Sequence, residues 1–129
     1  MNPSASDDEK LVLIVEDDED SRDVYREVLR SSGFRVDMAA SGLDGLNRAR
    51  RGLPDVILMD ISVPEMDGWA VTAELGKDPS TAGIPVIVVT AYAFPEDRIR
   101  ADGLGCAGFL TKPCEPSRVL AEIQRLLGG

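Results

Sequence analysis

Histidine is absent from this 129-residue chain. That absence excludes serine–histidine triads, histidine metal sites and imidazole acid–base catalysis by the chain's own residues. Cysteine is scarce: Cys106 and Cys114 are the only two. They lack CxxC or zinc-ligand spacing, so reduced thiols in a cytoplasmic setting are the expectation. No apolar run approaches the roughly 20 residues needed to cross a bilayer, and no membrane association is expected. The polar, acidic start has neither a positive stretch nor an apolar signal core, and residues 1–9 read as a flexible tail. Positive charge is also short, with 14 Lys and Arg against 23 Asp and Glu and a net charge of −9. Nucleic-acid binding depends on cationic neutralisation of phosphates, so a nucleic-acid partner is not expected. The length suits one domain, over residues 10–129.

What the chain does have is a set of polar residues placed directly after strand-like apolar runs. Leu11-Val12-Leu13-Ile14-Val15 runs into Glu16-Asp17-Asp18, and Val56-Ile57-Leu58-Met59 ends on Asp60. Val86-Ile87-Val88-Val89 ends on Thr90, and Phe109-Leu110-Thr111 leads to Lys112-Pro113. The first, third and fourth runs lack period-two alternation, as expected of strands buried on both faces of a parallel sheet. Weaker strands are expected at Arg35–Ala39 and Gly108–Leu110. Strands alternate with helical patterns throughout, which predicts a doubly wound α/β fold of five βα units.

The helical patterns carry their own boundaries. Between about Asp20 and Ser32, Val24, Tyr25, Val28 and Leu29 share a face, and Gly33 closes the helix. Ser41 with Asp44 resembles a capping box for a helix ending near Gly52. Asp67 can cap a third helix, on which Val71 and Leu75 share a face. A fourth, from Pro95 to about Leu104, is short and poor in apolar residues. The last opens on Pro116 and carries a stripe of Val119, Leu120, Ile123, Leu126 and Leu127.

In a parallel sheet the carboxyl ends of all strands lie on one edge, where open α/β folds bind ligands. Glu16, Asp17, Asp60, Thr90 and Lys112 are therefore expected to meet. Magnesium prefers hard oxygen ligands and usually takes only one or two protein carboxylates, which Glu16, Asp17 and Asp60 can supply. Carboxylates within about 4 Å repel by roughly 1 to 4 kcal/mol per pair, and a bound cation or Lys112 relieves that repulsion. An aspartate is ionised at neutral pH, so Asp60 is a candidate nucleophile that needs no general base. Attack on a phosphoryl donor would give an aspartyl phosphate, with catalysis mostly by positioning and charge neutralisation. Thr90 can donate its hydroxyl to a phosphoryl oxygen. The Lys112–Pro113 bond can be cis, which would aim the lysine inward, although trans is the usual default.

These residues resemble the receiver domain of two-component response regulators, the CheY-like family. The resemblance runs from about Lys10 to Leu127. It rests on Val15-Glu16-Asp17-Asp18, Met59-Asp60 with Pro64-Glu65-Met66-Asp67-Gly68, Thr90-Ala91 and Phe109-Leu110-Thr111-Lys112-Pro113. It implies a CheY/flavodoxin-like (βα)5 doubly wound parallel sheet of strand order 2-1-3-4-5. It implies Asp60 as phosphoacceptor, Asp17 as a direct Mg²⁺ ligand and Glu16 as one acting through a water. The Ser62 backbone carbonyl would be a further ligand, Thr90 and Lys112 would contact the phosphoryl oxygens, and Phe109 would be the switch aromatic. A one-residue shift would make Asp18 the ligand, although Asp17 is favoured.

The implied partners are a sensor histidine kinase or a histidine phosphotransfer protein, since the phosphohistidine must come from outside, and a downstream protein target of unknown identity. The implied chemistry is self-catalysed phosphoryl transfer and autodephosphorylation within a signalling domain, not turnover as an enzyme. The charge added at Asp60 would be read out on the surface of the fourth helix, fifth strand and fifth helix. The Met1 start and short Gly128-Gly129 end favour a stand-alone receiver. The leading alternative is a haloacid-dehalogenase-like phosphatase with Asp60 as nucleophile, although Ser62 stands where its second acid belongs. An FMN binder would show a Ser/Thr/Gly-rich phosphate loop where this chain has Glu16 to Asp20. A receiver that binds partners without phosphorylation fits poorly with intact Asp60, Thr90 and Lys112.

Overall fold

A computed structural model of the chain describes residues 9–91 and 94–128. The apolar runs form strands β1 (Leu11–Val15), β2 (Arg35–Ala39), β3 (Val56–Asp60), β4 (Val86–Thr90) and β5 (Gly108–Thr111). They are all parallel, in the order β2-β1-β3-β4-β5. Between and after them lie helices α1 (Glu19–Ser31), α2 (Gly42–Gly52), α3 (Gly68–Lys77), α4 (Pro95–Gly103) and α5 (Pro116–Leu127). Of the tail expected at residues 1–9, all but Glu9 lies outside the described residues. The Glu9 carbonyl accepts from Arg35 Nε at 3.3 Å.

Every residue of β3 and β4 is buried, which accounts for their unbroken apolar runs. Alternate side chains feed two cores. Leu13, Val15, Ile57, Met59, Val86 and Val88 pack on one face against Leu46 and Ala49 of α2, Trp69, Val71 and Leu75 of α3, and Ala101 of α4. Val12, Ile14, Val56, Leu58, Ile87, Val89 and Leu110 pack on the other against Tyr25 and Leu29 of α1 and Val119 and Ile123 of α5. Two helical layers thus cover the sheet, and its carboxyl edge is left for chemistry.

Two local expectations differ in detail. Ser41 Oγ does accept from the Asp44 amide at 3.1 Å, but the Asp44 carboxylate pairs with Arg48 Nε at 2.8 Å, one helical turn on. Half of the capping box forms because the guanidinium offers the acid a stronger, charge-assisted partner. Val24 lies at the solvent margin of α1, 47% exposed, while Tyr25 and Leu29 fill the core. As expected, α4 buries little: Ala101 is its one buried residue among those described.

Candidate metal and phosphoryl site at the carboxyl edge

Glu16 follows β1 directly, and its amide donates to Ala39 O at 3.0 Å, which extends the β1–β2 ladder by one bond. Arg22 Nη1 donates to the Glu16 carbonyl at 2.9 Å, so α1 pins this corner from above. Asp60 ends β3, and its two carboxylate oxygens have separate partners. Oδ1 accepts from the Ser62 amide at 3.1 Å, and Oδ2 accepts from Lys112 Nζ at 3.0 Å. Lys112 also donates to Glu16 Oε1 at 2.9 Å. One ammonium therefore bridges two carboxylates that are 96 and 52 residues away in sequence.

Glu16, Asp17 and Asp60 each offer a carboxylate oxygen, and those oxygens lie within 4.8 Å of one another. Glu16 and Asp60 are buried, at 3% and 4% exposure, whereas Asp17 is open to solvent. Burial raises the Glu16 pKa above its ordinary 4.5; hydrogen bonds from Lys112 and the Asp18 amide oppose the rise, and the Asp60 charge adds to it. For Lys112, burial alone would favour the neutral amine. The hydrogen bonds and charges of Glu16 and Asp60 outweigh it, and the net shift is upward. Three carboxylates against one ammonium leave an anionic cradle of hard oxygens, a donor set that fits Mg²⁺.

The neighbouring Asp18 has another task. Its Oδ2 accepts from the Ser21 amide at 3.0 Å and the Ser21 hydroxyl at 2.7 Å, capping α1. Those bonds hold its carboxyl below the ordinary aspartate range. Asp17, not Asp18, is the one gathered with Glu16 and Asp60.

The remaining expected residues are close by in the fold. Thr90 is buried at the end of β4, and its carbonyl accepts from the Lys112 amide at 2.8 Å. The Lys112–Pro113 peptide bond is cis. Phe109 is half-buried on β5 in register with Val88, on the same sheet face as Thr90. Sequence reasoning missed the groups that shape the loop after Asp60. Gly68 packs so closely that a Cβ would lie 2.8 Å from Asp60 O and from Ile61 Cα. Gly42 donates to Pro64 O at 3.1 Å, and a Cβ there would run into the Met66 carbonyl. Glu65 adopts a left-handed backbone, φ 72°. The glycines were visible as residues, but their need to lack a side chain arises only where this loop meets α2 and β3.

The profile of the response regulator receiver domain matches residues 12–124. The chain belongs to that family. It is 40% identical over 119 residues to the polar-differentiation response regulator DivK of Brucella ovis, covering 92% of this chain and 97% of that one. DivK of Brucella anthropi matches at the same identity and coverage. Among solved structures, the chemotaxis protein CheY4 of Vibrio cholerae superposes with a TM-score of 0.86 at 28% identity, covering 92% of this chain and 98% of CheY4. The receiver domain of a Pseudomonas aeruginosa sensor histidine kinase gives 0.84 at 32% identity, covering 94% and 99%. That structure is described with a magnesium ion coordinated in its active-site cleft. The family is one of two-component signalling domains, not of classical enzymes. The phosphatase alternative gains no support, since the residue two past Asp60 is Ser62 and brings no carboxylate. Among the described residues no helix is long and apolar enough to cross a membrane.

Proposed function

We propose that this receiver accepts a phosphoryl group on Asp60 from a partner's phosphohistidine, on a sensor histidine kinase or a histidine phosphotransfer protein, in the cytoplasm. The observation that carries this reading is the single Lys112 ammonium bridging Asp60 and Glu16 at 3.0 and 2.9 Å beside an open Asp17. An Asp60 carboxylate oxygen attacks phosphorus; the P–O bond forms as the P–N bond breaks, and the imidazole leaves with that electron pair. The Ser62 amide and Lys112 hold the two Asp60 oxygens in fixed directions, so little reorganisation is needed at the moment of transfer. Glu16, Asp17, Asp60 and the Ser62 carbonyl would hold Mg²⁺. The metal would supply positive charge to offset the negative charge on the phosphoryl oxygens. Thr90 and Lys112 contact the phosphoryl oxygens of the product. Hydrolysis of the same acyl phosphate by water resets the domain.

The added charge biases a two-packing equilibrium. Thr90 and Phe109 share a sheet face under α4, so their rearrangement reaches the α4-β5-α5 surface, where an unidentified protein target reads it. The direct test is incubation with acetyl phosphate and Mg²⁺, read by intact mass. The chain gains one phosphoryl group, and Asp60→Asn gains none while keeping its fold. Equal labelling of both proteins would exclude Asp60.

A further inference from the structure

The fourth helix is seated in an unusual way. Its only buried residue among those described is Ala101, a side chain too small to anchor a helix. Arg98 lies with its guanidinium 5.5 Å from the centroid of the Phe109 ring on β5. Arg100 lies 5.0 Å from the centroid of the Trp69 ring on α3. At 3.6 residues per turn, Arg98 and Arg100 fall on either flank of the inward-facing Ala101, while Ile99 points away. The exposure of Ile99, at 70%, agrees with that placement. α4 thus straddles the groove between α3 and β5, gripping one aromatic on each side. Both distances are within the range of a cation–π contact.

We propose that these two arginine–aromatic clamps set the position of α4, and that the Arg98–Phe109 clamp couples α4 to the state of Asp60. This rests on the reading above that Asp60 takes a phosphoryl group and Phe109 rearranges in response. Phe109 has no hydroxyl, so its ring face is its only specific handle, and Arg98 holds that face. A contact made in one packing and lost in the other biases the equilibrium by its own free energy. Arg98 therefore favours the unphosphorylated packing, and its release accompanies the movement of Phe109. The Arg98 side chain also lies 3.8 Å from Asp102 on its own helix, which gives the released guanidinium a local partner.

Amide hydrogen exchange along α4 and titration with beryllofluoride plus Mg²⁺, a phosphoryl mimic, test the two parts separately. Arg98→Gln and Arg100→Gln both accelerate exchange across α4 in the unliganded chain and leave α1 and α5 unchanged. Arg98→Gln also raises the apparent beryllofluoride affinity about two- to fivefold, the range expected from losing one exposed cation–π contact. Arg98→Lys, which keeps a cation on a long stem, restores most of the wild-type value. Unchanged α4 exchange in both glutamine variants would overturn the clamps. Faster exchange with unaltered beryllofluoride affinity in Arg98→Gln would overturn the coupling. If the wild-type chain takes no beryllofluoride at all, the phosphoacceptor reading fails along with the coupling, while the exchange experiment still decides the clamps.

Discussion

Replacing Lys112 by methionine removes the ammonium while keeping most of the side chain's length. Glu16 and Asp60, at 3% and 6% side-chain exposure, would then face each other without a cation. Breaking a buried ion pair from one side costs about 3 to 5 kcal/mol. Two features of the site limit the loss. The Lys112 side chain is 26% exposed, so water reaches this corner. Glu16 can also take up a proton, which at pH 7 costs a glutamate of ordinary pKa 4.5 roughly 3.4 kcal/mol, at about 1.36 kcal/mol per unit. The expected deficit is therefore about 2 to 3.5 kcal/mol at pH 7. At roughly 4 °C per kcal/mol for a domain of this size, that is a fall of about 10 °C in Tm. The pH dependence has a definite sign. The folded-state pKa of Glu16 is raised above its ordinary 4.5. The native state therefore binds this proton more readily than the unfolded chain, and the associated penalty shrinks as pH falls through the folded value toward 4.5. At pH 5 the protonation ceiling is only about 0.7 kcal/mol. Urea unfolding of both proteins in EDTA at pH 7 and pH 5 measures this directly. A deficit under about 0.5 kcal/mol at pH 7, or one that grows on acidification, would refute the shared-cation arrangement.

Asp17→Asn weakens Mg²⁺ binding far more than Asp18→Asn does, because the Asp18 carboxylate is committed to Ser21. Trp69 fluorescence against Mg²⁺ concentration reports both, and a larger loss from Asp18→Asn would shift the ligand by one residue. Gly68→Ala forces a Cβ against Asp60 O and Ile61 Cα and destabilises the domain by about 1 to 3 kcal/mol, as overpacking does; thermal unfolding that matches wild type would show that this loop has slack. Burial pushes the Cys106 thiol up to about 11. Its alkylation by iodoacetamide in the folded chain should rise about tenfold per pH unit between pH 7 and 9 from a very low rate, since the thiolate is the nucleophile. A rate already level by pH 9 would mean that the thiol is not sheltered.

Much of this site is legible in the chain because a parallel sheet makes it so. Strands buried on both faces, such as Val86–Thr90, must be apolar to their ends, and the first polar residue after each marks the functional edge. That is why Glu16, Asp60 and Thr90 stand out in the sequence; Lys112 comes one residue later, after Thr111. Asp18 reads in the sequence only as a metal ligand shifted by one residue, with the first helix expected from about Asp20; its role as the N-cap of a helix starting at Glu19 emerges with the Ser21 contacts. What escaped depends on tertiary contact. Nothing local to Gly42 announces that its Cα faces the Met66 carbonyl, or that Glu65 must take a left-handed backbone. Arg98 and Arg100 look like ordinary solvated charges of a polar helix until Phe109 and Trp69 arrive beneath them. The cation–π clamps and the loop-closing glycines are products of the fold, not signals preceding it.

Chemical trapping of the modified residue tests the central claim most directly. After treatment with acetyl phosphate and Mg²⁺, borohydride reduces an acyl phosphate to the alcohol, converting a phosphorylated aspartate to homoserine. Peptide mass spectrometry should find homoserine at position 60 alone, and only when Mg²⁺ was present. Homoserine at position 17 or 18, or a yield at position 60 that is indifferent to EDTA, would contradict the account.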